Sequence, residues 1–147
     1  MYEFRQLSAG DMGSVKELFR SVFTAEPWND DWSDDERLSL YLADLSCQTN
    51  SLLFGLFEKN ELIGISLGQI RHWYAGTEYK IEELCIKTEQ QGRGAGTFFV
   101  SAIENAVKAR GISSIVLLTS RDVPAYGFYK KIGFRESEIL VFFAKEI

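Results

Sequence analysis

Two hydrophobic periods alternate along the chain, and the switches between them divide it into elements. Residues 2–7 alternate polar and apolar, with Tyr2, Phe4 and Gln6 on one face, which predicts a strand. From Asp11 to about Phe23, the residues Met12, Val15, Leu18, Phe19, Val22 and Phe23 recur at helical spacing. The segment Glu26-Pro27-Trp28-Asn29-Asp30-Asp31-Trp32 breaks that period. Ser33 followed by Glu36 reads as a capping box, opening a second helix that carries Leu38, Leu40, Tyr41, Leu42 and Leu45. Residues 51–58 and 62–73 predict an antiparallel hairpin around the turn-like Lys59-Asn60-Glu61. After a turn at Ala75-Gly76-Thr77, a strand runs from Glu78 to Lys87. A helical pattern from about Gly94 to Arg110 stops at Gly111, a natural C-terminal cap. Ser114 to Thr119 predicts a buried strand, and Val123 to Lys131 a short helix with Pro124 in its first turn. Beyond Gly133, Arg135 to Ala144 predicts a last strand, bent near Ser137.

The order β-α-α-β-β-β-α-β-α-β predicts one α/β (α+β) domain over residues 1–147, a mixed, mostly antiparallel sheet with about four helices on its two faces. Composition narrows the function. A net charge of −5 argues against nucleic acid as a partner, because phosphate neutralisation needs a basic face. Cys47, Cys85 and the single His72 show no metal-ligand spacing, so no metal is expected. The N-terminus lacks the apolar run of a signal peptide, and no stretch is long enough to span a bilayer. A cytoplasmic protein with no membrane partner is the expectation.

The stretch Gln91-Gly92-Arg93-Gly94-Ala95-Gly96 puts three glycines where a strand hands over to a helix. Glycine allows close backbone approach, and a helix start offers unpaired N–H groups at the positive end of its dipole. Together these suit a phosphate or pyrophosphate. A nucleotide loop fits the same description, but no Gly-Lys-Ser/Thr closes this one.

With these elements in this order, the chain resembles the GCN5-related N-acetyltransferase superfamily over nearly its whole length. The signature Gln/Arg-x-x-Gly-x-Gly/Ala is matched by Gln91, Gly94 and Gly96. A second signature is matched by Ala125, Tyr129, Lys130, Gly133 and Phe134. Where the family usually has Asn, seven residues before the tyrosine, this chain has Asp122. The resemblance implies acetyl-coenzyme A as donor and a primary amine as acceptor. It implies that the backbone of Leu84, Cys85 and Ile86 holds the pantetheine arm like an added strand. It further implies that the amides of Gln91, Gly92, Arg93, Gly94, Ala95, Gly96 and Thr97 hold the pyrophosphate, with Asp122 and Ala125 nearby.

Moving acetyl from a thioester to an amine poses two proton problems. With a pKa near 10.4, only about one amine in two to three thousand is free base at pH 7. The departing thiolate must then gain a proton, and a tyrosine hydroxyl is still protonated at that pH. By resemblance, Tyr129 is the acid. Glu82 is favoured as base through its alignment with the polyamine acetyltransferases, and Glu83 is second. Alternation sends the two glutamates to opposite faces unless a bulge intervenes, and either needs burial to become an effective base. The segment between the first two helices commonly lines the acceptor pocket in this family. Here it offers Glu26, Trp28, Asp30 and Trp32, acids and indoles suited to a cation, with His72 near the same mouth. The alternative for these residues is helix capping and core packing. The expected acceptor is a small cationic amine. Alternatives are a protein or peptide amine, or a module that binds acyl-coenzyme A without transferring anything. A homodimer is compatible with the last strand.

Overall fold

The computed structural model describes all 147 residues. Strand β1 (Tyr2–Gln6) leads into helix α1 (Met12–Phe23) and helix α2 (Asp35–Ser46). Three strands follow, β2 (Ser51–Glu58), β3 (Glu61–Trp73) and β4 (Gly76–Ile86), then helix α3 (Ala95–Ala109), strand β5 (Ser114–Leu117) and helix α4 (Pro124–Lys131). The sheet order is β1-β2-β3-β4-β5, antiparallel through β4 and parallel between β4 and β5. This is the expected mixed α/β architecture. No helix is long and apolar enough to cross a membrane.

The sheet separates two apolar cores. On one face α1 and α2 pack Val15, Phe19, Leu38 and Leu42 against Leu53, Ile65, Leu67 and Cys85. On the other, α3 packs Phe99, Ile103 and Val107 against Leu52, Leu56, Ile63, Tyr79 and Ile86. A fully buried side chain of this size stabilises by about 1.5–3 kcal/mol. The one large polar group among these, the Tyr79 hydroxyl, donates to the Leu52 carbonyl at 2.9 Å and meets Ser66 Oγ at 2.9 Å, so its burial leaves nothing unpaired.

Three expectations need correction. Strand β5 stops at Leu117 rather than Thr119 and, as the edge of the sheet, holds half-buried or exposed residues instead of buried ones. The cap of α2 is Asp34, whose side chain accepts from the Arg37 amide at 3.0 Å, and not Ser33, whose amide instead donates to Asp31. Both residues are good cap types, and the aspartate lies at the spacing the helix uses. The last predicted strand, Arg135 to Ala144, does not form. Residues 135–147 pair with no other strand, and Ile139 to Phe143 stand exposed.

Candidate active site

The site begins where the sheet opens. Strand β5 pairs with β4 only from Glu78 opposite Ser114 to Ile81 opposite Leu117. Past Ile81, β4 stays on β3, with Leu84 opposite Ser66, Cys85 opposite Ile65 and Ile86 opposite Gly64, while its other edge loses its neighbour. Backbone groups on that edge can receive an extended amide-bearing ligand as a strand would. One of them is already used, because Gln91 Nε2 donates to the Ile86 carbonyl at 2.9 Å and ties the glycine turn to the strand end.

The turn itself is built to present donors. Gly92 and Gly94 have φ of 76° and 83°, the left-handed region that side chains resist. This winding brings Gly94 to the N-cap of α3 with no side-chain cap. The first backbone bond into the helix is Phe98 N–H to the Gly94 carbonyl at 3.0 Å, and the amides from Gly92 to Thr97 donate to no protein group. Six unengaged amides at the positive end of a fifteen-residue helix fit a diphosphate. The side chains of Arg93 and Thr97 point to solvent, while Ala95 is buried beneath the turn.

Glu82 and Glu83 differ because β4 carries a bulge. Leu67 faces Glu83 and Gly68 faces Ile81, which leaves Glu82 as the extra residue. Gly68 is required there, since a Cβ would stand 2.4 Å from the Lys80 carbonyl oxygen. Glu82 pairs with Lys80 at 3.2 Å. Glu83 turns inward, and its Oε2 accepts from Tyr41 Oη at 2.8 Å across from α2. Burial pushes its pKa up to about 7, the Tyr41 bond pulling the other way and the charges of Asp30 and Glu82 adding to the rise. Cys85 beside it is held as the neutral thiol by burial and by Glu83, so it is no nucleophile.

Tyr129 reaches the same place from α4. Pro124 sits at the first turn of that helix, and Tyr129 is buried with its ring against Phe128 and Phe134. Its pKa is pushed up to about 12 by burial and by the nearby Cys85 and Glu83. A hydroxyl so placed keeps its proton at every physiological pH. Ala125 stands one turn earlier, on the same helix face, and Asp122 is exposed in the preceding turn. Tyr126, by contrast, donates to Glu136 at 3.0 Å on the surface.

The predicted acceptor residues divide. Trp32 stacks on Tyr41, with ring centroids 5.4 Å apart, and its buried Nε1 has no partner. Asp30 lies close enough to act on Glu83. Trp28 packs on Phe23 as part of the α1–α2 core, and the Glu26 side chain is exposed and makes no hydrogen bond or ion pair. His72 is exposed near the β3–β4 hairpin tip, opposite Thr77, and so about 20 Å along the strand from Glu83. Sequence reasoning missed Tyr41 because it occupies the apolar stripe of α2 with Leu38, Leu42 and Leu45. A hydroxyl in that stripe was the available signal.

Known proteins share the fold that carries this site. The model of the acetyltransferase (GNAT) family matches residues 12–134. A Bacillus subtilis (strain 168) protein provisionally named an acetyltransferase is 35% identical over 71 residues, 48% of this chain and 47% of its own. The chain thus spans about half the length of the curated relatives it matches. Among solved structures, an aminoglycoside acetyltransferase from an uncultured soil metagenomic sample, in complex with sisomicin, superposes with a TM-score of 0.77 at 21% identity. That match covers 99% of this chain and 96% of the other. AAC(6')-Iy, in complex with a bisubstrate analogue, gives a TM-score of 0.76 at 17% identity, covering 100% and 99%. These likenesses establish a shared fold. With the glycine turn, the opened strand end and the match over residues 12–134 in agreement, the chain belongs to the acetyltransferase (GNAT) family.

Proposed function

We propose that this chain transfers acetyl from acetyl-coenzyme A to the primary amine of a small cationic molecule. The observation that supports it most is the convergence of Glu83 and Tyr129, a carboxylate tuned near neutrality and a hydroxyl kept protonated, at the opened end of β4. When bound, acetyl-coenzyme A supplies a thioester carbonyl open to attack by an amine. The free edge at Leu84 to Ile86 and the amides of Gly92 to Thr97 would hold it. Asp30, Glu82 and Glu83 favour an incoming ammonium, and Trp32 and Tyr41 give it an aromatic wall. Glu83 takes the ammonium proton at Oε1 while Tyr41 fixes Oε2. Tyr129 Oη gives its proton to the departing sulfur, and the surplus proton on the acylated nitrogen, lost as the amide forms, restores the hydroxyl. Glu83 therefore takes the role of base, and Glu82 a place in the attracting field.

A small acceptor is favoured over a protein one because the acids near Glu83 suit a compact polycation such as a polyamine or aminoglycoside-like molecule. Two solved structures of the same fold are named as aminoglycoside acetyltransferases, which supports the same class. The test is thiol release from acetyl-coenzyme A across polyamines, aminoglycosides, simple amines and lysine peptides. Polycations are expected to give the highest kcat/KM, and Tyr129→Phe to lower kcat about 100-fold with coenzyme A affinity unchanged. Peptides outpacing every small amine would reject the acceptor class, and full turnover by Tyr129→Phe would remove it from the chemistry.

Tyr41 gives a subtler test. Its hydrogen bond lowers the Glu83 pKa, so Tyr41→Phe should raise it. The acid limb of the kcat/KM profile is expected to move up by about half to one pH unit, the equivalent of one such bond. An unmoved limb would show that another group governs it.

A further inference from the structure

Strand β4 sends Tyr79 and Ile81 into the α3 core, so Lys80 between them projects to the opposite face, the one that carries Glu83. Glu82, the extra residue of the bulge, comes to that face as well, since Lys80 Nζ reaches its Oε1 at 3.2 Å. The two side chains are 27% and 29% exposed, so solvent screens their attraction only in part. The pair stands in a field of one sign. The charges that act on Tyr41 and Glu83 from around them are those of Asp30, Asp44 and Glu82, and each disfavours further negative charge there. Other cations on this side of the sheet are engaged elsewhere, Arg71 with Glu78, and Lys16 and Arg20 with Asp35. The chain thus seats one ammonium of its own beside the base.

We infer that Lys80 is a specificity-determining residue, its ammonium holding the place on Glu82 that the second ammonium of a short diamine takes while the first is acetylated at Glu83. This rests on the acetyl transfer proposed above. Two features of the pair support it. Glu82 and Glu83 are chain neighbours, with Cα atoms about 3.8 Å apart, and the bulge sets both on one face. Two ammonium groups on one short chain can therefore meet both carboxylates at once. The holder is also exchangeable. A lysine ammonium is a point charge on a flexible stem, without the planar fork by which arginine grips a carboxylate. A ligand ammonium brings the same charge and the same donors, so Glu82 stays paired as one replaces the other. Lys80 then swings into solvent and regains rotamer freedom, which offsets part of the cost of ordering the ligand. A monoamine has nothing to exchange. It meets Glu83 with Lys80 still in place, beside a carboxylate already neutralised. Lys80 thereby sorts acceptors by the number and spacing of their charges.

The test compares propylamine with 1,3-diaminopropane, by thiol release from acetyl-coenzyme A and by titration calorimetry of each amine in the presence of coenzyme A. Lys80→Gln should lower KM for the diamine about three- to fivefold with kcat unchanged, the upper range for a partly exposed ion pair. Propylamine should keep its KM. Lys80→Arg, which grips Glu82 harder, should move the diamine KM the opposite way. In a Glu82→Gln background, Lys80→Gln should have no effect, because the contact it releases is already gone. A merely structural role for Lys80 would change both amines alike and leave no dependence on Glu82. Should Lys80→Gln fail to fold, Lys80→Arg and Glu82→Gln read the same contact. Equal gains for both amines, a diamine KM indifferent to Lys80, or an effect that survives Glu82→Gln would each overturn the inference. The proposed reaction fails separately. Wild type that releases no thiol with any amine would reject acetyl transfer, whereas diamine binding graded by residue 80 in calorimetry would still support the seat on Glu82.

Discussion

Glu83→Gln is expected to lower kcat/KM for amine acetylation by about 10²–10⁴-fold, the usual range for loss of a general base. The amide keeps the size of the side chain and can still accept from Tyr41, so packing on α2 is preserved. The pH profile makes the prediction specific. In the wild type the base works only when ionised, so kcat/KM should fall tenfold per pH unit below about 7. In the variant that limb should vanish. Stability should move the opposite way. An ordinary glutamate titrates at 4.5, whereas Glu83 in the fold titrates at about 7, so the folded state binds this proton more tightly than the unfolded one. Below 4.5 both states are protonated and nothing is lost. Stability then falls as pH rises from 4.5 to 7, and above 7 the whole cost of keeping a carboxylate indoors is present, at most about 3 kcal/mol. Glu83→Gln should therefore melt later than wild type at pH 8 and together with it near pH 4.5. Equal melting temperatures at pH 8, with undiminished activity, would dismiss Glu83 as the buried base.

Gly94→Val should weaken coenzyme A binding by about 10²–10⁴-fold, the loss of two charge-assisted amide bonds at about 1.5–3 kcal/mol each. The mechanism is conformational. A Cβ at this position would meet nothing within 4 Å, so no clash is involved. The obstacle is φ at 83°, which a β-branched residue adopts only with strain and which the α3 amides need in order to converge. Because asparagine tolerates this region better than alanine or valine, affinity should fall in the order Gly, Asn, Ala, Val. Titration calorimetry with coenzyme A measures it. A normal dissociation constant for the valine variant would place the diphosphate elsewhere.

Much of the fold is legible in the sequence because local periods coincide with tertiary burial. The stripe Val15, Leu18, Phe19, Val22 and Phe23 predicts α1, and every one of those residues is buried. The glycine turn could be read because its φ values leave few alternatives to glycine. Three features could not be read. The cap of α2 lies between adjacent residues of nearly equal capping strength, and only the Asp34 to Arg37 geometry decides. The unequal environments of Glu82 and Glu83 arise from a bulge fixed across the sheet at Gly68, where alternation along β4 is uninformative. The apolar run after Glu138 shows that a strand is feasible, but pairing depends on an edge that the run itself does not contain.

The connector between α1 and α2 has a practical consequence. It is fastened by two indoles, Trp28 on Phe23 and Trp32 on Phe19 and Tyr41, and by the Asp30 amide to the Phe23 carbonyl at 2.9 Å. Between those rivets Asn29, Asp30 and Asp31 are solvent-facing, on the far side of the sheet from the core that supports α3. If the acceptor meets this connector, as proposed, grafting short loops between the two tryptophans should change the range of amines accepted while leaving coenzyme A affinity unchanged, which makes this stretch the natural place for directed evolution to act.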